Sequence, residues 1–96
     1  EIFRQGAVDR IPQIRGSLNP EYPQEATQTS GQGRVILQFI VTEEGRTQDI
    51  AVIRSSSDAL ARAAVDALRQ ARYRPGIKDG NPVKVRMSKV VSFRQP

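Results

Sequence analysis

The sequence contains no cysteine, no histidine and no tryptophan, and only 5% of its 96 residues are aromatic. Without thiols and imidazoles the chain cannot form disulfides, nucleophile–base pairs that use Cys or His, or the zinc sites built from these ligands. We therefore expect no catalytic residue of these kinds, no metal and no cofactor. A chain without disulfides is compatible with both the cytosol and the periplasm, so the redox compartment stays open.

Long apolar runs are absent as well. No stretch approaches the roughly 18 residues that a membrane-spanning helix needs, and the chain does not begin with a signal-peptide pattern. Because the first residue is Glu1 rather than methionine, we expect a fragment of a longer protein. The length predicts one domain with a modest core of Val, Ile, Leu and Ala.

Charge is distributed unevenly along the chain. Residues 1–61 contain six basic and eight acidic side chains, a net of −2, whereas residues 62–96 contain nine basic and two acidic ones, a net of +7. A basic C-terminal third is compatible with nucleic acid, anionic lipid or an acidic protein surface. Scattered Arg and Lys on the outer faces of a helix and a strand are more often simply a solvated surface.

Residues 83–94 alternate between apolar and polar side chains. The apolar positions are Val83, Val85, Met87, Val91 and Phe93. A period of two predicts a strand with one face on a core and the other in water. Lys89 and Val90 break the alternation, which predicts a bulge or bend at this point. Such a long strand should overhang its sheet and leave backbone groups that another extended chain can use.

The upstream patterns predict the remaining elements. Residues 34–42 and 47–54 read as two strands joined by a hairpin turn with Gly45 in the left-handed conformation. Residues 55–58 offer helix caps, and an apolar stripe predicts that the following helix ends near Arg72. The stripe consists of Leu60, Ala64, Ala67, Leu68 and Ala71. Pro23 favours the start of a short N-terminal helix.

The order of these elements predicts an α+β fold. The last strand follows a helical return from residues 47–54, so it should run antiparallel to residues 34–42 and pair beside them. We predict a three-stranded antiparallel sheet of order 2-1-3, with one main helix on one face and a short N-terminal helix. Residues 83–94 then form an edge strand. Residues 1–16 are predicted to be an extended, partly flexible segment, and residues 17–96 to be the domain.

No group of residues suggests catalysis. Glu43 and Glu44 are adjacent carboxylates, but on a hairpin turn they are better explained as solvated turn residues. Residues 55–57 are three serines without a histidine base, and helix capping explains them. Gly31 and Gly33 precede a strand rather than a helix, which is the wrong geometry for binding phosphate. We predict that the chain is not an enzyme.

Several short signatures follow one another at characteristic spacing. They are Tyr22-Pro23, Gly33-Arg34-Val35, Gly45-Arg46, Ser55-Ser56, Arg72-Tyr73-Arg74-Pro75 and Val91-Ser92-Phe93. The indication comes from the order and spacing of these signatures together rather than from any one of them. Over roughly residues 8–94 the chain resembles the C-terminal domain of TonB-type energy transducers. The structural positions implied by the resemblance are Tyr22, Pro23, Gly33, Gly45, Tyr73 and Pro75.

The resemblance implies a periplasmic domain tethered to the inner membrane by an N-terminal segment that lies outside this sequence. In that family the last strand pairs with a short extended segment, the TonB box, of TonB-dependent outer-membrane transporters. Inner-membrane motor proteins supply the energy for active uptake, for example of iron–siderophore complexes. The implied partner-binding residues are Ser17, Leu18, Asn19, Pro20, Glu21, Lys84, Val85, Arg86, Met87, Ser88, Lys89, Val90, Val91 and Ser92.

Three alternatives remain open. A TolA-like envelope-integrity domain shares the architecture, but such domains usually carry Cys. A nucleic-acid-binding module would need aromatic side chains on the open face of the sheet to stack bases, and Phe93 is predicted to point inward, so we expect no nucleic acid. A homodimer formed through two exposed edges is the third.

Overall fold

The structure, a computed structural model, describes residues 1–18 and 32–94. Along the chain these residues form β1 (Ile2–Arg4), a 3-10 turn (Gln5–Ala7), β2 (Gln13–Ile14), β3 (Gln32–Val41), β4 (Thr47–Ser55), α1 (Asp58–Gln70), β5 (Tyr73–Arg74), β6 (Gly76–Lys78) and β7 (Asn81–Arg94). None of the described helices has the length and apolarity needed to cross a membrane.

Part of the sequence prediction lies outside the described residues. This applies to the short N-terminal helix, to three predicted binding residues and to two structural positions of the resemblance. They are Asn19, Pro20, Glu21, Tyr22 and Pro23.

Strands β3 and β4 form an antiparallel hairpin that supplies the centre of the core. The inward side chains of β3 are completely buried: Val35, Leu37, Phe39 and Val41. In the connecting turn Gly45 has a φ of 83°, and its N–H donates to the carbonyl oxygen of Thr42 at 2.9 Å. The predicted left-handed glycine is therefore confirmed.

Strand β7 lies beside β3 along its whole length. The two strands pair antiparallel without interruption from Val41–Val85 to Gln32–Arg94. The predicted bulge at Lys89 and Val90 is therefore wrong. Lys89 lies opposite Leu37 on the helix-facing side but is exposed, because a long side chain near the edge of a sheet can carry its ammonium group to water. Val90 lies on the other face and is 53% exposed.

The sheet continues past β7. Strand β1 runs parallel to it, with Ile2 opposite Lys84, Phe3 opposite Val85 and Arg4 opposite Arg86. Strand β6 also pairs with β7, so the sheet has five strands, with β1, β7, β3 and β4 in that order. The prediction of a three-stranded sheet is wrong, and the order 2-1-3 describes only β4, β3 and β7.

Helix α1 packs on one face of the sheet. The side-chain oxygen of Ser57 accepts a hydrogen bond of 3.2 Å from the N–H of Leu60, which caps the first turn. Leu60, Ala64 and Leu68 form the fully buried part of the apolar stripe. The small Ala64 permits close approach of helix and sheet. The helix ends at Gln70, slightly earlier than predicted.

The N-terminal segment is extended and joined to the domain. Strand β2 pairs antiparallel with β5, with Gln13 opposite Arg74 and Ile14 opposite Tyr73. The N–H of Arg15 donates to the carbonyl oxygen of Arg72 at 2.8 Å. The division of the chain into residues 1–16 and 17–96 stays a prediction.

Candidate functional site

The edge of β7 that faces away from β3 is the candidate site. Strand β1 covers this edge at Lys84, Val85 and Arg86. Within residues 1–18 and 32–94, no strand pairs with it over residues 87–92. We call residues 87–92 of β7, on the side away from β3, the docking edge.

The docking edge offers backbone hydrogen-bonding groups at the spacing of a strand. Successive residues of a strand direct their N–H and C=O groups to alternate sides, so about every second residue presents both groups to the edge. Six residues span about 20 Å at ~3.3 Å per residue. This length is sufficient for pairing with an extended segment of similar length.

Side chains along the docking edge alternate between the two faces of the sheet. Met87 and Val91 are buried on the helix-facing side and fix the strand on the core. Ser88, Val90 and Ser92 are exposed on the other side. A strand added here would place its own side chains alternately toward helix α1 and toward the open face. Because the anchoring residues are buried, the edge is supported by the core beneath it.

The surroundings of the docking edge are basic. Arg86 and Lys89 are exposed on β7, and Lys84 is half-buried. Among the described residues the one ion pair lies on helix α1, where Asp66 and Arg69 approach to 3.8 Å. Lys84, Arg86 and Lys89 therefore form no ion pair with a described acidic residue, and their charges favour an anionic ligand.

The structure brings together only part of the predicted binding set. The edge predicted to be open from Lys84 is available only from Met87 onward, since β1 pairs with the three residues before it. Of the upstream set, Ser17 is exposed and Leu18 packs against the core. The role of β1 was missed, because Ile2 and Phe3 form an apolar pair too short to show a period.

The glycines of the signature sequences lie at close contacts between elements. A Cβ atom at Gly33 would come within 2.3 Å of the Leu60 side chain, so glycine lets β3 approach the start of helix α1. The next residue, Arg34, receives support from Ser56: the N–H of Arg34 donates to the Ser56 hydroxyl oxygen at 3.0 Å, and the N–H of Ser56 donates to the Arg34 carbonyl oxygen at 3.0 Å.

Tyr73 is part of the buried core. Its ring lies 5.8 Å from that of Phe39, centroid to centroid, and burial raises the pKa of its hydroxyl above the ordinary value of 10.0. Pro75 separates β5 from β6 and is half-buried. These positions therefore support the fold beneath the docking edge rather than the edge itself.

The residues considered for catalysis lie on an exposed turn or make hydrogen bonds that support the fold. Glu43 and Glu44 are exposed on the β3–β4 turn. Ser57 caps helix α1 and Ser56 bonds to Arg34. In the described part of the chain, no group of three or more acidic side chains is arranged to hold a metal ion.

The chain matches a known protein family over most of its length. The model of the family described as "Gram-negative bacterial TonB protein C-terminal" matches residues 18–94. The curated protein TonB of Vibrio cholerae is 27% identical over 88 residues, which cover 91% of this chain and 36% of that protein. The chain thus spans about a third of the length of that relative.

Two solved structures share the fold. The solution structure of the TonB C-terminal domain of Pseudomonas aeruginosa aligns with a TM-score of 0.72 and 29% identity, covering 90% of this chain and 88% of that one. The TonB2 protein of Vibrio anguillarum aligns with a TM-score of 0.66 and 26% identity, covering 92% of this chain and 85% of that one.

Proposed function

Because the chain belongs to the family of the Gram-negative bacterial TonB protein C-terminal domain, we propose that it is the partner-binding domain of a TonB-type energy transducer. Its docking edge pairs with the TonB box of an outer-membrane transporter by strand addition. The domain binds and transmits force and performs no catalysis. The observation that carries this proposal is the row of backbone groups on residues 87–92, which no described strand covers.

Strand addition suits an edge of this composition. Main-chain hydrogen bonds supply the affinity and are independent of the guest's sequence, so one edge can serve several transporters. Arg86 and Lys89 favour a guest that carries acidic side chains. The same cations also discourage two copies of the domain from pairing edge to edge, since like charges would face each other.

A pulling load can pass from the docking edge into the core. Strand β7 is bonded to β3 along ten consecutive residue pairs. Its side chains Val85, Met87, Val91 and Phe93 are anchored in the buried cluster. A guest strand bonded to β7 would load these hydrogen bonds in shear, with many bonds sharing the force.

The larger setting belongs to the same proposal. We place the domain in the periplasm, tethered to the inner membrane by a preceding segment and driven by inner-membrane motor proteins. Active uptake, for example of iron–siderophore complexes, is the process it would serve. These statements concern the whole transducer, of which this chain corresponds to about a third in the Vibrio cholerae relative.

Titration with a synthetic TonB-box peptide, followed by backbone amide chemical shifts, tests the proposal. We expect the largest shifts in residues 87–92 and small ones in β4, which forms the opposite edge of the sheet. If the largest shifts occur in β4, the peptide binds at the opposite edge of the sheet and the proposed site is wrong. If no shift saturates, strand addition is rejected.

Self-association through the docking edge is the competing use of the same surface. Sedimentation of the domain at several concentrations, with and without the peptide, separates the two. If the peptide binds without changing the molecular mass, the edge serves a guest. If a dimer forms and the peptide dissociates it, both uses share the edge.

A further inference from the structure

We propose that β1 is a displaceable internal competitor for the peptide site, and that a guest strand with an acidic residue opposite Arg86 replaces it. The inference rests on the proposed function, since it concerns regulation of the same edge. It predicts two states of the domain. In one, residues 2–4 cover the start of the edge; in the other, the guest pairs with β7 from Lys84 through Ser92.

The pairing of β1 imitates a bound peptide. The strand runs parallel to β7 and places Phe3 opposite Val85, whose side chain is completely buried. Residues directly opposite each other in a sheet project to the same face, so Phe3 is directed to the core side, and it is half-buried there. Three residues form a short strand, however, and the few hydrogen bonds that they make with β7 are each of modest net strength.

One position of this pairing is unfavourable. Arg4 stands directly opposite Arg86, and both side chains are exposed. Like charges at opposite positions destabilise a pair of strands, whereas opposite charges stabilise it. The domain's own strand therefore carries the wrong charge at the place where an acidic guest residue would carry the right one.

The segment after β1 is held independently of it. The N–H groups of Asp9 and Arg10 donate to the carbonyl oxygen of Ile77 at 2.8 and 3.1 Å. The Asp9 carboxylate accepts a further bond of 2.8 Å from the N–H of Asp79. Consequently β1 can leave β7 while residues 9–10 remain attached to strand β6.

The connection between β1 and this anchor is built as a hinge. It consists of the 3-10 turn Gln5–Ala7 and Val8, and no side chain caps the turn. Gly6 lies in open space, with nothing within 4 Å of the position of a Cβ atom. Val8 packs against the buried cluster and belongs to the anchored side, so the opening rotation falls within Gln5–Ala7. Opening gives up the β1 pairing and the contacts that this turn makes with β7.

The competitor lowers the apparent affinity of the guest. A short tether gives β1 an effective concentration on the order of millimolar at the edge. The apparent Kd of a guest that needs residues 84–86 equals its intrinsic Kd divided by the fraction of molecules in which β1 is detached. Changes that strengthen β1 should therefore weaken guest binding, although residues 2–4 pair with residues 84–86 and not with residues 87–92.

Charge reversal in β1 provides the decisive experiment. The Arg4→Glu variant replaces the repulsion from Arg86 by attraction, and we expect the apparent Kd of a TonB-box peptide to rise about three- to tenfold. Arg15→Glu is the matched control, since it makes the same change of net charge at an exposed position of the N-terminal segment that does not face β7. We expect it to change the Kd less than twofold.

A second peptide separates competition from direct repulsion. In this peptide every Glu and Asp is replaced by Gln or Asn. Competition by β1 predicts that Arg4→Glu weakens this neutral peptide as well. A purely electrostatic effect of residue 4 on the ligand predicts no change for it, and that result would overturn the proposal. Phe3→Gly should act in the opposite direction and strengthen binding, because it weakens the β1 pairing without altering charge.

Amide hydrogen exchange without peptide measures how often β1 is detached from β7. Arg4→Glu should slow exchange at residues 2–4 and Phe3→Gly should accelerate it. If peptide binds the unaltered chain but leaves the exchange and shifts of residues 2–4 unchanged, β1 is not displaced and this inference fails while the proposed function stands. If the peptide binds none of the variants, Phe3→Gly included, the proposed function itself fails.

Discussion

The N–H of Tyr73 donates a hydrogen bond of 2.8 Å to the carbonyl oxygen of Gly45, and this bond ties the segment after helix α1 to the β3–β4 turn. The two backbones approach so closely that a Cβ atom at Gly45 would lie 2.0 Å from the Tyr73 carbonyl oxygen. Both residues belong to the signature sequences that first indicated the family. This contact gives the glycine at position 45 a local physical cause.

Gly45→Ala should destabilise the domain by about 2 kcal/mol or more, because the left-handed conformation alone costs a non-glycine residue about 1–2 kcal/mol and the backbone clash adds to this. Gly16→Ala is the matched control: Gly16 has a φ of 84°, but nothing lies within 4 Å of its Cβ position. Urea unfolding measures both variants. Equal losses at the two positions would show that the contact with Tyr73 contributes nothing.

Tyr73 should make the domain sensitive to alkali. Burial raises the pKa of its hydroxyl above the ordinary value of 10.0, so the unfolded chain ionises first as pH rises. The stability linked to this group is complete below pH 10.0 and is lost progressively from there up to the folded pKa. We expect the free energy of unfolding to fall over this window.

Tyr73→Phe isolates that contribution, because other groups also titrate near this pH. The difference in stability between the two proteins should be constant below pH 10.0 and should shift in favour of the Phe variant above it. A difference that does not change with pH would mean that the hydroxyl titrates alike in the folded and unfolded chains.

The sequence predicted the features that depend on periodic burial and on local turn chemistry. Alternation located β3, β4 and β7, the helical stripe located α1, and Gly45 marked the turn correctly. Alternation failed at Lys89, because a charged residue on the helix-facing side can lie beyond the cover of the helix and reach solvent. The real irregularities lie in β4, where Asp49 has a φ of 53° beside a register shift.

The edge itself was harder to predict than the sheet. Whether a strand is exposed depends on every other segment that could pair with it, and three residues such as Ile2–Arg4 leave no periodic signal. The predicted binding residues Lys84 to Arg86 are therefore covered by a strand that composition and pattern could not reveal. The period of two in β7 specifies which face each side chain takes but not which strands lie beside it.

Proline substitutions at two adjacent residues of β7 should distinguish hydrogen bonds to the guest from hydrogen bonds to β3. Ser88 and Lys89 are both exposed, and because alternate N–H groups of a strand point to opposite sides, one of them donates toward β3 and the other toward the docking edge. Proline removes the donor. We expect one of Ser88→Pro and Lys89→Pro to weaken peptide binding about five- to tenfold with the smaller loss of stability.

The other proline variant should lose mainly stability, since it breaks a bond to β3. Calorimetric titration with the TonB-box peptide and urea unfolding of both variants provide the two measurements. Loss of affinity in proportion to loss of stability in both variants would argue against a guest bonded to the backbone of β7.

Charge at the docking edge should set how strongly guest binding depends on salt. Lys89 is exposed and lies within the edge, so Lys89→Glu should weaken an acidic TonB-box peptide, with Lys89→Gln intermediate. The difference between the variants should shrink as ionic strength rises from about 0.01 M to about 1 M, because the Debye length falls from about 30 Å to about 3 Å.

Arg62→Glu is the control for this prediction. Arg62 lines the groove between helix α1 and Val52 of β4, at the other edge of the sheet. Its effect should be smaller at every salt concentration. Equal effects of Lys89→Glu and Arg62→Glu would mean that the peptide responds to the net charge of the domain and not to a basic edge on β7.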